Sequence, residues 1–227
     1  MVYVRKTKRI RKKKKTYTKY KPIMQATRPL ANHQMLKFRY CETISINPGA
    51  GVIGGYTFRA NSLFDPNYSG TGHQPMGFDQ WVPTFYNHFV VLGAKITAKF
   101  ISPGSDAQLN TYVVGIDLHD STSSISGWST ERIMEHPKVK HSILTNSTAK
   151  ATTTVTKNFS ASKFFRIKDI KGSPDHRGNS FSNPAEDAIF HVFCGAADAF
   201  SDGQNMNVIV TIDYIADLQE PNELSQS

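Results

Sequence analysis

The sequence predicts an all-β chain: a single two-sheet sandwich of eight strands spanning residues 31–227, behind a disordered basic N-terminal arm of residues 1–30. Three observations carry this reading. Eight segments are strand-like, most of them alternating apolar and polar residues with the period of two that a half-buried strand requires. The connections between them are rich in Gly, Pro, Ser and Asn, and one of them has the pattern of a short helix. Charge is divided along the chain: the first twenty-one residues hold eleven cations (Arg5, Lys6, Lys8, Arg9, Arg11, Lys12, Lys13, Lys14, Lys15, Lys19 and Lys21), and no carboxylate appears before Glu42. The rest carries sixteen Lys and Arg against eighteen Asp and Glu, a net of −2. A polycation is tied to a nearly neutral body, and that division assigns two jobs.

The arm has many like charges and almost no aliphatic residues, so it cannot bury enough apolar surface to offset its ordering entropy. Its chemistry is that of nucleic-acid binding. Ammonium and guanidinium groups hold phosphates, and Tyr3, Tyr17 and Tyr20, interleaved with the cations, offer rings on which bases stack. The arm has no fixed element to present to base edges, so the expected binding is independent of sequence. For one arm, about eleven phosphate contacts give a log-log salt slope near −8, at roughly −0.7 per contact on a single strand.

The first strand is read over 36–46, where Leu36, Phe38 and Tyr40 alternate with Lys37, Arg39 and Cys41 before Asn47-Pro48-Gly49 ends it. A shorter strand follows at 56–64. Residues 65–85 form a loop too long to be an idle connection. Its Gly70-Thr71-Gly72 is not a phosphate loop, because no Gly-Lys-Ser/Thr and no helix follow. His73 and Asp79 lack any partner at ligand spacing, so the loop is read as structural, with Trp81 buried. The segment 87–101 puts Ala94, Ile96, Ala98 and Phe100 on a buried face and Lys95, Thr97 and Lys99 on a wet one. Tyr112, Val114, Ile116 and Leu118 repeat that alternation over 109–118. Ser129 caps a short helix to Glu135, which His136-Pro137 stops. Strands are read at 138–145 and 151–167, the second dense in β-branched residues. A second long loop follows at 168–187, and strands at 188–194 and 206–216 complete the set.

Several classes are disfavoured. No activated Ser with a neighbouring His, no paired carboxylates and no His/Cys metal spacing stand out, so no enzyme, catalytic residue, cofactor or metal site is predicted. Asp117, Asp120, Asp198 and Asp202 are read as solvated aspartates rather than calcium ligands. No apolar run approaches the roughly eighteen residues of a membrane span. The N-terminus is charged where a signal peptide is apolar, so Cys41 and Cys194 are read as buried free thiols of an intracellular protein. Periodicity alone leaves jelly roll, immunoglobulin-like sandwich and barrel open.

The run Phe58-Arg59-Ala60-Asn61-Ser62-Leu63-Phe64-Asp65-Pro66, then Gly72-His73-Gln74-Pro75-Met76-Gly77-Phe78-Asp79-Gln80-Trp81, then Tyr86-Asn87-His88-Phe89 and Val91-Leu92-Gly93-Ala94-Lys95-Ile96 resembles capsid proteins of small circular single-stranded DNA viruses that encode a replication initiator, the circovirus-like coat proteins. A weaker likeness continues through the short helix and Pro137-Lys138-Val139-Lys140, while about 168–205 carries no matching motif. The resemblance implies a viral jelly roll whose copies, sixty of them, self-assemble into a small icosahedral T=1 shell around a circular single-stranded DNA genome. It implies a virion protein whose arm faces inward onto that genome and is also a nuclear localisation signal, read by host nuclear import factors during assembly. Relatives have Arg-dominated arms; this one is mostly Lys, which favours charge neutralisation over bidentate phosphate contacts. A coat protein of a small RNA virus, or a non-viral nucleic-acid-binding protein with a basic tail, shares the charge logic. The loops 65–85, 119–137 and 168–187, with Phe78, Trp81, Trp128 and Phe181, are the candidate subunit contacts.

Overall fold

The computed structural model describes residues 30–104, 111–145, 152–198 and 200–224. Among them lie nine strands: β1 (His33–Ile46), β2 (Gly54–Arg59), β3 (Tyr86–Ile101), β4 (Thr111–His119), β5 (Lys140–Thr145), β6 (Thr152–Ser160), β7 (Arg177–Asn179), β8 (Ile189–Ala196) and β9 (Met206–Pro221). Three short helices, α1 (Phe78–Trp81), α2 (Thr130–Glu135) and α3 (Ala161–Phe164), sit in the connections.

The strands form two antiparallel sheets. The first runs β1-β9-β3-β6, with β7 extending the β6 edge along β3, and the second runs β2-β8-β4-β5. The chain passes between sheets at β1 to β2, β2 to β3, β3 to β4, β5 to β6, β7 to β8 and β8 to β9, and this interleaving of a five-stranded with a four-stranded sheet is a jelly roll. An immunoglobulin-like sandwich would keep its hairpins within sheets. The order therefore decides among the architectures that periodicity left open.

Alternation places the core. Phe38, Tyr40, Ile44 and Ile46 of β1, Ile96, Ala98 and Phe100 of β3, and Val208, Val210, Ile212 and Tyr214 of β9 are buried against Phe190, Val192 and Cys194 of β8 and Tyr112, Val114 and Ile116 of β4. The outer faces of the two sheets differ. That of the second sheet is roofed by the connection carrying α2: Ile125 and Ile133 close over Val113 and Phe193, with Ile53 beside them and Trp128 and Val139 at the rim. That of the first sheet bears Lys37, Arg39, Cys41, Thr43, Lys95, Lys99 and Thr154 in register and, among the described residues, lacks a comparable apolar roof.

Several expected boundaries move for local reasons. The strand expected at 56–64 stops at Arg59, because Asn61 donates from Nδ2 to the Glu186 carbonyl at 2.6 Å and Ser62 donates to Asn183 Oδ1 at 2.7 Å. Those bonds draw the chain off the sheet although Leu63 remains buried. The expected strand 151–167 ends at Ser160, where α3 turns Phe164 and Phe165 against Phe159. Strand β7 was not expected; its Gly178 lies face to face with the Phe89 ring, where a Cβ would collide. α1 also lies in the stretch read as loop, entered through Gly77 at φ 85°. Cys194 is buried as expected, but Cys41 is exposed, since the parity that buries Tyr40 turns its neighbour outward.

Candidate nucleic-acid interface

The predicted nucleic-acid-binding cations, Arg5 to Lys21, lie outside the described residues. The structure does give the point at which the arm joins the body. The Tyr86 hydroxyl donates to the Ala31 carbonyl at 3.0 Å, and His33 Nδ1 lies 3.0 Å from Asp217 Oδ2. Asp217 is fully buried on β9, and Lys171 Nζ approaches its other oxygen at 3.2 Å. Burial pushes this carboxyl up, but hydrogen bonds from His33, Gln219 and Lys171 together hold it below its usual value. Gln219 completes the clasp by donating to the Lys171 carbonyl at 3.0 Å.

The three long loops expected to make subunit contacts emerge at the same end of the sandwich as this root. Pairings His33 with Gln219, His88 with Gln219, Arg59 with Ile189 and His119 with Ile189 bring the start of β1 to the end from which residues 60–85, 120–139 and 161–188 extend. Arg59 ties two of them, with Asp65 Oδ2 at 2.5 Å and Asp187 Oδ1 at 3.3 Å. Of the four aromatic candidates, Phe78 belongs to the core and Trp81 and Trp128 are half-buried, Trp81 beside Phe85 and Tyr86 and Trp128 beneath the Arg132 guanidinium. Phe181 stands 82% exposed, and Met76, at 92%, projects from the first long loop. At the opposite end Phe200 is 89% exposed.

Asp117, read as a solvated aspartate, is instead fully buried among histidines. His136 Nδ1 lies 3.1 Å from Oδ1 and His119 Nε2 lies 3.6 Å from Oδ2. His119 Nδ1 accepts from the Ser121 backbone N–H at 3.1 Å, which leaves the proton of a neutral ring on Nε2, facing Asp117. Asp198 spends its carboxylate on its own turn, accepting from Phe200 and Ser201 N–H groups. No group of three or more His, Cys, Asp or Glu among the described residues is arranged to hold a metal ion.

The near-neutral body proves unevenly charged. A hollow of about 450 Å³ opens in the seam between the β6 edge and the start of β5, lined by Lys138, Lys157, Lys163 and Arg166 with Phe159 and Phe164. Lys157 donates to the Lys138 carbonyl, and the Lys138 ammonium lies over the Phe164 ring, 4.6 Å from its centroid. Among the described residues no carboxylate pairs with any of these four cations. Burial lowers the Lys157 ammonium pKa, Asp117 opposes the shift, and Lys140 and Lys138 reinforce it. A second hollow of about 430 Å³, lined by Lys37, Lys95, Asp213 and Ile215, shares Asn158 and Phe159 with the first. There Asp213 is already engaged by Arg39 at 2.7 Å and Lys37 at 3.4 Å.

The sequence held a signal for this feature that whole-body charge obscured. Between Glu135 and Asp169 there is no Asp or Glu, while Lys138, Lys140, Lys150, Lys157, Lys163, Arg166 and Lys168 all fall inside that window.

No protein-family model matches the chain, and no curated protein matches it. Solved structures do resemble it. The decameric BFDV capsid protein aligns with a TM-score of 0.43 at 7% identity, over 83% of this chain and 99% of that one. An empty head of turnip yellow mosaic virus aligns with a TM-score of 0.45 at 10% identity, over 93% of each chain. A chain of the mud crab tombus-like virus structure aligns with a TM-score of 0.42 at 7% identity, over 86% of this chain and 94% of that one. The jelly-roll assignment rests on this chain's own strand order.

Proposed function

We propose that this chain is a viral coat protein that self-assembles into a small icosahedral shell, the virion, and packages single-stranded DNA through its basic N-terminal arm. One observation carries the reading: an arm of eleven cations joins a jelly-roll body at the end from which all three long loops extend. Jelly rolls also serve as lectins and cupins, but those uses do not call for a polycation. The resemblance of residues 58–100 to circovirus-like coat proteins supports DNA over RNA as the cargo. Packaging is a polyelectrolyte process in which Lys and Arg displace counterions from phosphates. Crowding like-charged arms inside one shell repels the subunits, and nucleic acid cancels that repulsion. Host nuclear import factors read the same arm, placing assembly in the nucleus.

Electron microscopy of the purified full-length protein, with digestion of whatever nucleic acid it protects from nuclease, tests this. Uniform closed particles whose cargo, once released, is degraded by DNase are the expected result. RNase-sensitive cargo would reassign the chain to a small RNA virus. A folded protein that forms no particles at low or high salt, with or without added single-stranded DNA, would leave a basic-tailed nucleic-acid-binding protein.

A further inference from the structure

The body carries a cationic surface that the packaging reading does not use. We propose that the seam between β6 and β5, together with the adjoining outer face of the first sheet, is a second nucleic-acid contact, a track for the phosphodiester backbone of a single strand that leaves the arm. The inference rests on the packaging reading for its ligand, and on the body alone for its site.

Four observations support it. Lys138, Lys157, Lys163 and Arg166 line one hollow, none of them ion-paired with a carboxylate among the described residues, and although Asp117 offsets part of the crowding at Lys157 the hollow presents a net positive face to an entering anion. Phosphate is such an anion, and the Phe164 ring at the wall gives an apolar surface beside it of the kind bases pack on. The two hollows meet at Asn158 and Phe159, which extends the basic surface from Lys37 on β1 across to β6, three strand spacings or about 14 Å. Finally, Lys37 stands four residues beyond His33 on β1, about 13 Å along the strand, so the track begins near the root of the arm.

Arg166 adds a local detail. Its backbone is left-handed, φ 59°, a conformation that costs free energy for any residue bearing a Cβ. It lies at the lip of the hollow, immediately after α3 and Phe165.

The test is a salt titration of full-length protein binding a labelled oligothymidylate. It compares the unaltered chain with a Lys138→Gln, Lys163→Gln, Arg166→Gln triple variant and, separately, with Lys37→Gln, Lys95→Gln. Losing three phosphate contacts lowers the log-log slope by about 2, and losing two lowers it by about 1.4. Arg132→Gln, which alters a cation stacked on Trp128 away from the track, leaves the slope unchanged. Slopes equal to the unaltered chain in both track variants overturn the proposal. If the triple variant fails to fold by circular dichroism, the double variant on the open sheet face decides by the same criterion. Weakened heparin binding with an unchanged DNA slope also overturns it, in favour of a sulfated polysaccharide. Particle formation is imaged in every preparation. Particles with unchanged slopes remove the track and leave the shell reading standing, whereas lowered slopes without particles do the reverse.

Discussion

His119 stacks on His191 with ring centroids 4.0 Å apart and 11° between their planes. The His191 side chain is fully buried, donates from Nε2 to the Ser121 carbonyl at 3.1 Å, and presents a bare Nδ1 with no hydrogen-bond partner. A second proton on His191 would place charge against the His119 ring at a fully buried position, where the nearby Asp117 offsets only part of the cost. Burial, then the charge of His119, pushes the His191 pKa down to about 4, and burial lowers His119 as well.

The sign of the resulting pH dependence follows from linkage. Between the unfolded value near 6.5 and the folded value near 4, the unfolded chain binds more protons, so stability falls as pH falls through that window. At roughly 1.4 kcal/mol per pH unit the loss reaches about 3 kcal/mol for His191. Thermal unfolding at pH 7.5, 6 and 4.5 should show a declining midpoint, and His191→Gln should flatten the decline. An equally steep decline in the variant would remove this pair as its source.

The clasp at the arm root should matter to folding as well as to the arm. Asp217→Ala leaves Lys171 and Gln219 without their acceptor, and the expected cost is about 1–3 kcal/mol. Urea midpoints of the two proteins measure it. Its carboxyl is held low in the folded state, so its contribution is present at neutral pH and is lost as pH falls below the usual carboxylate range.

Ser129 accepts a hydrogen bond from the Arg132 backbone N–H at 3.2 Å and so caps α2. Ser129→Ala should cost about 1 kcal/mol and loosen the roof over Val113 and Phe193. Denaturant unfolding and hydrogen exchange at Ile133 would report both effects.

Gly115 has no room for a side chain: a Cβ there would lie 2.5 Å from Phe193 Cζ and 2.7 Å from the Lys140 carbonyl oxygen. Gly115→Ala should therefore destabilise by about 1–3 kcal/mol through overpacking, read as a lower melting temperature. A melting temperature equal to that of the parent would show that Phe193 can move aside.

Phe181 stands 82% exposed in the third long loop, and under the shell reading it anchors a neighbouring subunit. Phe181→Ser should leave subunit stability within about 0.5 kcal/mol while reducing particle yield in sedimentation. Unchanged yield would move the subunit contact elsewhere.

The sequence by itself determined the division of charge between the first twenty-one residues and the remainder, the all-β class, the wet and buried faces of β3, and the cap at Ser129. These are local properties, set by charge runs, period-two alternation and the chemistry of adjacent residues. Only the tertiary structure decided the sheet order β1-β9-β3-β6 and β2-β8-β4-β5, because alternation says which side of a strand is buried but not which strand lies beside it. The same limit hid the buried histidine cluster and the basic seam of the body. Asp117 and His191 pair across β4 and β8, and Lys37 and Asn158 line one hollow, although each pair is far apart in sequence and local pattern does not encode the pairings that bring them together. Counted over the whole body, charge cancels to a small net negative value. Folding separates it, gathering Lys138, Lys157, Lys163 and Arg166 at one seam while the acids that cancel them in the count lie elsewhere.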